Sequence, residues 1–146
     1  MKIWFDMDGT IADLYGVKNW LDRLRAYDPT PYEEAEPLCS MKALAKLLKA
    51  LQKRGYEIGI ISWTSAESTA DYDRRVEWAK YHWLRSHLKA VNFDHILFTP
   101  YGVDKKAVTG GGVLFDDNEN IREDWTDEDN MAFTPAEIFE VLRGLL

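Results

Sequence analysis

The chain has little cysteine, few prolines and no long apolar run, and these shortages exclude several kinds of protein. Cys39 is the only cysteine among 146 residues, so no internal disulfide can form. No charged-then-apolar signal segment opens the chain, and no apolar stretch reaches the length that spans a bilayer. These features predict a soluble, cytoplasmic protein that does not bind membranes.

Positive charge is also scarce. The formal net charge is −7, and the sequence contains no run of basic residues. Proteins that bind nucleic acid polymers gain most of their affinity from basic side chains that neutralise backbone phosphates. We therefore expect a small-molecule partner rather than DNA or RNA.

The length of the chain limits the number of domains. The 146 residues suffice for one hydrophobic core but leave little room for a separate substrate domain. No internal repeat or low-complexity linker divides the sequence. We predict a single domain that covers residues 1–146.

Two short apolar segments run directly into acidic pairs. Ile3-Trp4-Phe5 leads into Asp6 and Asp8, and Val113-Leu114-Phe115 leads into Asp116 and Asp117. Open α/β sheets place their ligands at the carboxyl ends of strands, and paired carboxylates repel each other unless a cation lies between them. The two clusters favour one shared metal site over two unrelated acidic turns or helix caps.

The remaining apolar pattern alternates between strand and helix. Further strands are predicted near 56–62, 96–98 and 131–133, and helices near 17–26, 40–54, 67–88 and after Thr134-Pro135. Such alternation indicates a parallel sheet with right-handed crossovers. The triple glycine at 110–112 lacks the flanking pattern of a phosphate-binding loop and is predicted to be a tight turn.

Four ordered segments resemble the motifs of the haloacid-dehalogenase-like phosphatases. They are Asp6-Met7-Asp8-Gly9-Thr10, Ser62 at a strand end, Lys105 or Lys106, and Asp116-Asp117. The first segment is similar to the phosphotransfer branch of that family. The Asp-Lys pair that precedes an apolar strand and Asp-Asp resembles the small deoxyribonucleotidase-like members.

The resemblance implies a fold and an outline of the molecule. It implies a three-layer, Rossmann-like α/β fold with the first strand central, flanked by the Ser62 strand and the Asp116 strand. It also implies that residues from about 13 to 39 form a much reduced helical cap. A lid this short would cover the site incompletely unless a second copy in a homo-oligomer completed it.

The same resemblance implies roles for individual residues. Asp6 would be the nucleophile that forms an aspartyl-phosphate, and Asp8 the general acid and base. Mg²⁺ would be held by Asp6, the backbone carbonyl of Asp8 and Asp116, with Asp117 orienting the ligands.

The remaining motif residues would contact the substrate phosphate. Ser62, with Thr10 of the first motif, would bind the substrate. Lys105 or Lys106 would offset the negative charge. The two lysines compete for this role, with Lys105 favoured by its Asp-Lys context.

The substrate class is less constrained by the sequence. Trp20 and Trp63 could stack on a nucleobase, although packing of a small cap explains them equally well. The expected function is Mg²⁺-dependent hydrolysis of a small phosphate monoester, with nucleoside monophosphates as the leading class. The alternative is a receiver-like or non-catalytic domain that binds phosphate for signalling or as a scaffold.

Overall fold

The computed structural model describes residues 1–146 and is built around a five-stranded parallel sheet. The strands are β1 (Lys2–Phe5), β2 (Ala12–Asp13), β3 (Glu36–Pro37), β4 (Glu57–Trp63), β5 (His95–Thr99), β6 (Val113–Phe115) and β7 (Met131–Phe133). The sheet order is β5-β4-β1-β6-β7, while β2 and β3 pair separately as a small antiparallel ribbon. The expected central position of β1 between β4 and β6 is confirmed.

Seven α-helices accompany these strands. They are α1 (Trp20–Arg25), α2 (Thr30–Glu34), α3 (Met41–Lys53), α4 (Ala70–His87), α5 (Lys105–Thr109), α6 (Glu119–Trp125) and α7 (Ile138–Leu145). Helix α3 begins after Ser40, whose hydroxyl accepts a hydrogen bond from the Ala43 amide. No helix is both long enough and apolar enough to cross a membrane.

Two predicted helices begin later than the sequence pattern indicated. Glu67 and Asn19 have positive φ angles of 52° and 57°, which an α-helix cannot contain. Helix α4 instead begins after Thr69, whose hydroxyl caps the Tyr72 amide, and α1 begins at Trp20. Apolar spacing alone could not detect these local backbone conformations.

Side chains alternate between the two faces of the sheet, and helices cover both. Ile3 and Phe5 of β1 join the larger core with apolar residues of α3, α4 and α7, whereas Trp4 joins a smaller core with Trp125 of α6. Gly59 leaves the space that the Trp4 ring fills, because a Cβ there would collide with that ring. The three-layer α/β architecture predicted from the sequence is confirmed.

The triple glycine forms the turn between α5 and β6. Gly110, Gly111 and Gly112 all have positive φ angles, of 80°, 89° and 121°. A Cβ on Gly112 would collide with the Lys2 carbonyl of the neighbouring strand. The segment is a tight turn, as predicted, and it allows β6 to enter the sheet directly beside β1.

Residues 13–39 form a small layer that packs against α4. This segment contains α1, α2 and a short 3-10 turn at Leu14–Gly16. Leu14 and Tyr32 pack against the α4 residues Tyr72, Val76 and Ala79. Two further hydrogen bonds join the layers, from Tyr72 Oη to the Asp28 carbonyl (2.8 Å) and from Trp83 Nε1 to the Ala35 carbonyl (2.7 Å).

Candidate active site

Three carboxylates meet where β1 and β6 end. Phe5 and Phe115 are register partners, so the residues that follow them, Asp6 and Asp116, emerge side by side at one edge of the sheet. One ligand oxygen each from Asp6, Asp116 and Asp117 lies within 4.8 Å of the others. The sequence prediction that the two acidic clusters lie together agrees with this geometry.

Lys105 lies against this carboxylate cluster. Its Nζ donates to Asp6 Oδ1 at 3.0 Å and to Asp116 Oδ2 at 2.7 Å, and its side chain is 3% exposed. Asp104 caps the start of α5 and so directs Lys105 inward. Lys106, the alternative motif lysine, instead reaches outward, where its Nζ lies 3.1 Å from Asp127 Oδ2.

Thr10 joins the two acidic motifs through its hydroxyl group. Its Oγ1 donates to Asp6 Oδ2 at 3.0 Å and accepts from the Asp117 amide at 3.2 Å. Gly9 has a φ of 77°, and a Cβ there would collide with the Asp117 carboxylate. The glycine of the first motif therefore permits the close approach of the second acidic pair.

The Asp8 carboxylate points away from the three-carboxylate cluster and toward α4. Asp8 Oδ2 accepts a hydrogen bond from Lys80 Nζ at 2.8 Å. The same Nζ donates to Ser62 Oγ at 2.7 Å and to the Trp63 carbonyl at 2.6 Å. Ser62 is fully buried and does not line the adjoining cavity, whereas Thr64 and Ser65 do.

Lys80 was missed by the sequence analysis, although the sequence carried a signal for it. Lys80 lies four residues after Val76 and four before Leu84, within the stripe of α4 that packs into the protein. A lysine at a core position needs a partner for its charge. That requirement points to a nearby carboxylate, which the structure identifies as Asp8.

Burial and mutual repulsion raise the pKa values of Asp116 and Asp117. Burial and then the charge of Asp6 raise the pKa of Asp116 to about 6 and that of Asp117 to about 7. Burial also raises the pKa of Asp8, although the Lys80 ammonium opposes this shift. Burial lowers the pKa of Lys105, but the charges of Asp6 and Asp116 outweigh it and leave that pKa raised.

The donor set fits a hard divalent cation. Asp6, Asp116 and Asp117 offer only oxygen atoms, which Mg²⁺ and Ca²⁺ prefer, and their ligand oxygens are close enough for one ion to contact all three. The raised pKa values of Asp116 and Asp117 reflect burial and repulsion from the neighbouring carboxylates. A bound cation would relieve this repulsion.

A cavity of about 960 Å³ opens above the acidic residues. Its floor contains Asp6, Asp8, Asp116, Asp117 and Lys105, and its walls carry the aromatic residues Tyr15, Trp20, Tyr27, Tyr32, Trp63 and Tyr101. The Trp63 ring is fixed by a hydrogen bond from Nε1 to the Val103 carbonyl at 2.8 Å, and it packs against Tyr101. The Trp20 ring packs edge-on against Tyr15.

The parallel sheet, covered by helices on both faces and carrying carboxylates at its strand ends, defines an α/β protein with a three-layer, Rossmann-like fold. No protein-family model matches the sequence, and no curated protein matches it either. Among solved structures, the chain is similar to D,D-heptose 1,7-bisphosphate phosphatase from Burkholderia thailandensis, with a TM-score of 0.50 and 13% sequence identity. The match covers 84% of this chain and 69% of the other, and it shows a shared fold.

Proposed function

We propose that the protein is a divalent-cation-dependent phosphomonoester hydrolase that works through an aspartyl-phosphate on Asp6. The observation that supports this most directly is the meeting of Asp6, Asp116 and Asp117 with the buried Lys105 at the floor of a large cavity. Phosphoryl transfer requires a nucleophile with positive charge beside it. Asp6 would be the nucleophile, Lys105 supplies one positive charge, and the three carboxylates could hold a cation. The fold shared with a heptose bisphosphate phosphatase is consistent with this proposal.

The proposed reaction has two steps. In the first, a carboxylate oxygen of Asp6 forms a bond to phosphorus while the bond to the leaving alkoxide breaks, and Asp8 gives that alkoxide a proton. In the second, water attacks phosphorus and gives a proton to Asp8, and the bond between phosphorus and Asp6 breaks. Inorganic phosphate is released, and both aspartates return to their starting forms.

The cation would be Mg²⁺, held by Asp6, the backbone carbonyl of Asp8 and Asp116, with Asp117 orienting these ligands. When bound, the ion supplies positive charge that reduces repulsion between the substrate phosphate and the carboxylates. Lys105 adds a second positive charge, because its Nζ lies within 3.0 Å of Asp6 and 2.7 Å of Asp116. Thr10 holds the other oxygen of Asp6.

Hydroxyl groups at the end of β4 would bind the phosphoryl oxygens. Ser62 was the residue predicted from the sequence for this contact. Its side chain is buried, however, and its hydroxyl accepts a hydrogen bond from Lys80. Thr64 and Ser65 come after Trp63 in the sequence and line the cavity. We therefore assign the phosphoryl contact to Thr64 and Ser65, and assign Ser62 to the network that supports Asp8.

Nucleoside monophosphates are the substrate class that this cavity suits best. Its aromatic walls include Trp20 on one side and the fixed pair Trp63 and Tyr101 on another, so a flat base could lie against either surface. Stacking of a base on an aromatic side chain contributes about 1–3 kcal/mol. The cavity is also open, which favours modest discrimination between related phosphate esters.

Phosphate release and covalent trapping test the proposal together. We expect the wild-type protein to release phosphate from nucleoside monophosphates with Mg²⁺, and to lose this activity with excess chelator. Mass spectrometry of protein quenched during turnover should detect a phosphoryl group on Asp6, which Asp6→Asn should abolish. Activity that persists in excess chelator, or a phosphoryl group on a different residue, would contradict the proposed mechanism.

A further inference from the structure

Lys80 is a buried lysine whose hydrogen-bonding capacity is used entirely within the protein. It is 0% exposed, and its Nζ donates to Asp8 Oδ2, Ser62 Oγ and the Trp63 carbonyl at 2.8, 2.7 and 2.6 Å. An ammonium group has three N–H donors. All three are therefore directed to protein oxygens.

This saturation distinguishes Lys80 from a lysine that binds substrate. No N–H of Lys80 remains for a phosphoryl oxygen, and the Tyr32 ring lies 4.9 Å from Nζ. Lys80 also does not line the cavity, whereas Lys105 does. Lys80 can therefore act on bound substrate only through the residues that it holds.

Asp8 is the residue through which Lys80 can act. Only Oδ2 of Asp8 is hydrogen-bonded, and that bond comes from Lys80, while Asp8 itself lines the cavity. The other two acceptors of Lys80 lie at the end of β4, which pairs with β1. Lys80 thus ties the Asp8 side chain to the strand beside the one that carries Asp6.

We propose that Lys80 is a positioning residue that holds Asp8 by Oδ2 so that the free Oδ1 meets the leaving-group oxygen. This inference rests on the proposed phosphatase function. A lysine that only stabilised the fold would, when replaced, lower activity toward every substrate by the same factor, because removing one partner of a buried ion pair reduces the amount of folded protein. A positioning role predicts a specific loss in the proton-transfer step.

Leaving-group dependence separates these two roles. The p-nitrophenolate of p-nitrophenyl phosphate leaves without a proton, whereas the alkoxide of a primary alkyl phosphate needs one from Asp8. For Lys80→Met, we expect kcat/KM to fall at least about tenfold more on the alkyl phosphate than on the aryl phosphate. Because both substrates are measured on one preparation, their ratio does not depend on the fraction of protein that is folded.

Three further variants complete the experiment. Arg85→Met changes an exposed cation on the same helix and should leave the ratio at its wild-type value. Asp8→Asn should show the same selective loss, and adding Lys80→Met to it should change the ratio no further, because both substitutions disrupt one step.

Equal losses of kcat/KM on both substrates for Lys80→Met would overturn the inference and leave the phosphatase proposal intact. Additive effects in the double variant would also overturn it, because Lys80 would then act independently of Asp8. A wild-type protein that hydrolyses neither substrate with Mg²⁺ would overturn the proposed function, and the inference with it.

Discussion

Lys105 and Asp6 lie 99 positions apart in the sequence, and their side chains meet at 3.0 Å in the buried floor of the cavity. The contact forms because α5 begins immediately after Asp104 and turns Lys105 inward. Lys106, one residue further on, points outward to Asp127. Two adjacent lysines therefore occupy different electrostatic environments, and this difference can be measured.

Lys105→Ala should lower kcat/KM for phosphate esters by about a hundredfold or more, because the nucleophile loses a charged hydrogen-bond donor. Lys106→Ala is the matched control and should change kcat/KM by no more than about twofold, as expected for a surface substitution. Steady-state kinetics on both variants, with folding checked by circular dichroism, test the assignment. A larger loss for Lys106→Ala would show that the two roles are reversed.

Protons and Mg²⁺ should compete for the acidic cluster. The pKa of Asp117 is raised from its ordinary value of 3.8 to about 7 in the folded, metal-free protein. Between these two pH values, the folded protein therefore keeps a proton on Asp117 that the unfolded chain releases. The free energy of unfolding should therefore fall as pH rises through this window, and the loss should be complete above about pH 7. Mg²⁺ needs the ionised carboxylates, so its affinity should increase over the same range.

Thermal unfolding of wild type and Asp117→Asn between about pH 5 and pH 8, with and without Mg²⁺, tests this competition. The metal-free wild type should lose stability relative to the variant as pH increases. Added Mg²⁺ should restore the stability of the wild type most strongly at the upper end of this pH range. A difference between the two proteins that is independent of pH would show that Asp117 does not titrate in this window.

Loss of a stacking surface should change substrate preference rather than activity in general. Trp20→Ala or Trp63→Ala should reduce the kcat/KM preference for nucleoside monophosphates over sugar phosphates by roughly ten- to a hundredfold, if the base lies on that ring. Trp78→Ala removes an exposed tryptophan of α4 outside the cavity and serves as the control. An unchanged preference in both cavity variants would remove the support for nucleotides but not for phosphatase activity.

Helix α3 stabilises the fold through its buried leucine stripe. Leu48 is fully buried in the main core, so Leu48→Ala should lower the free energy of unfolding by about 2–5 kcal/mol. Leu38→Ala, at a side chain that is 45% exposed, should change it by less than about 0.5 kcal/mol. Urea denaturation of both variants measures the difference, and similar midpoints would show that α3 contributes little to the core.

The fold was predictable because the sheet is specified by local patterns. Two short apolar segments each lead into acidic residues, and they form neighbouring strands of the sheet: Ile3-Trp4-Phe5 and Val113-Leu114-Phe115. Their side chains had to meet because the ends of parallel strands lie at one edge. The late starts of α1 and α4 were not predictable from periodicity, because they depend on backbone conformations at Asn19 and Glu67.

The surroundings of Asp8 were harder to predict. Lys80 and Asp8 lie 72 positions apart in the sequence, and their hydrogen bond depends on how α4 is rotated against the sheet. Ser62 was the hydroxyl residue predicted from the sequence, but the backbone at the end of β4 buries it and brings Thr64 to the cavity instead. Such choices follow from tertiary packing rather than from strand or helix patterns.

The hydrogen bonds that join residues 13–39 to α4 limit how this layer can move. Tyr72 and Trp83 hold the backbone at Asp28 and Ala35, and the same helix carries Lys80 into the site. Residues 13–39 therefore cannot move as a hinged lid unless their hydrogen bonds to α4 break. We therefore expect mutations that shift α4 to alter the size of the accepted substrate and the rate of its turnover together.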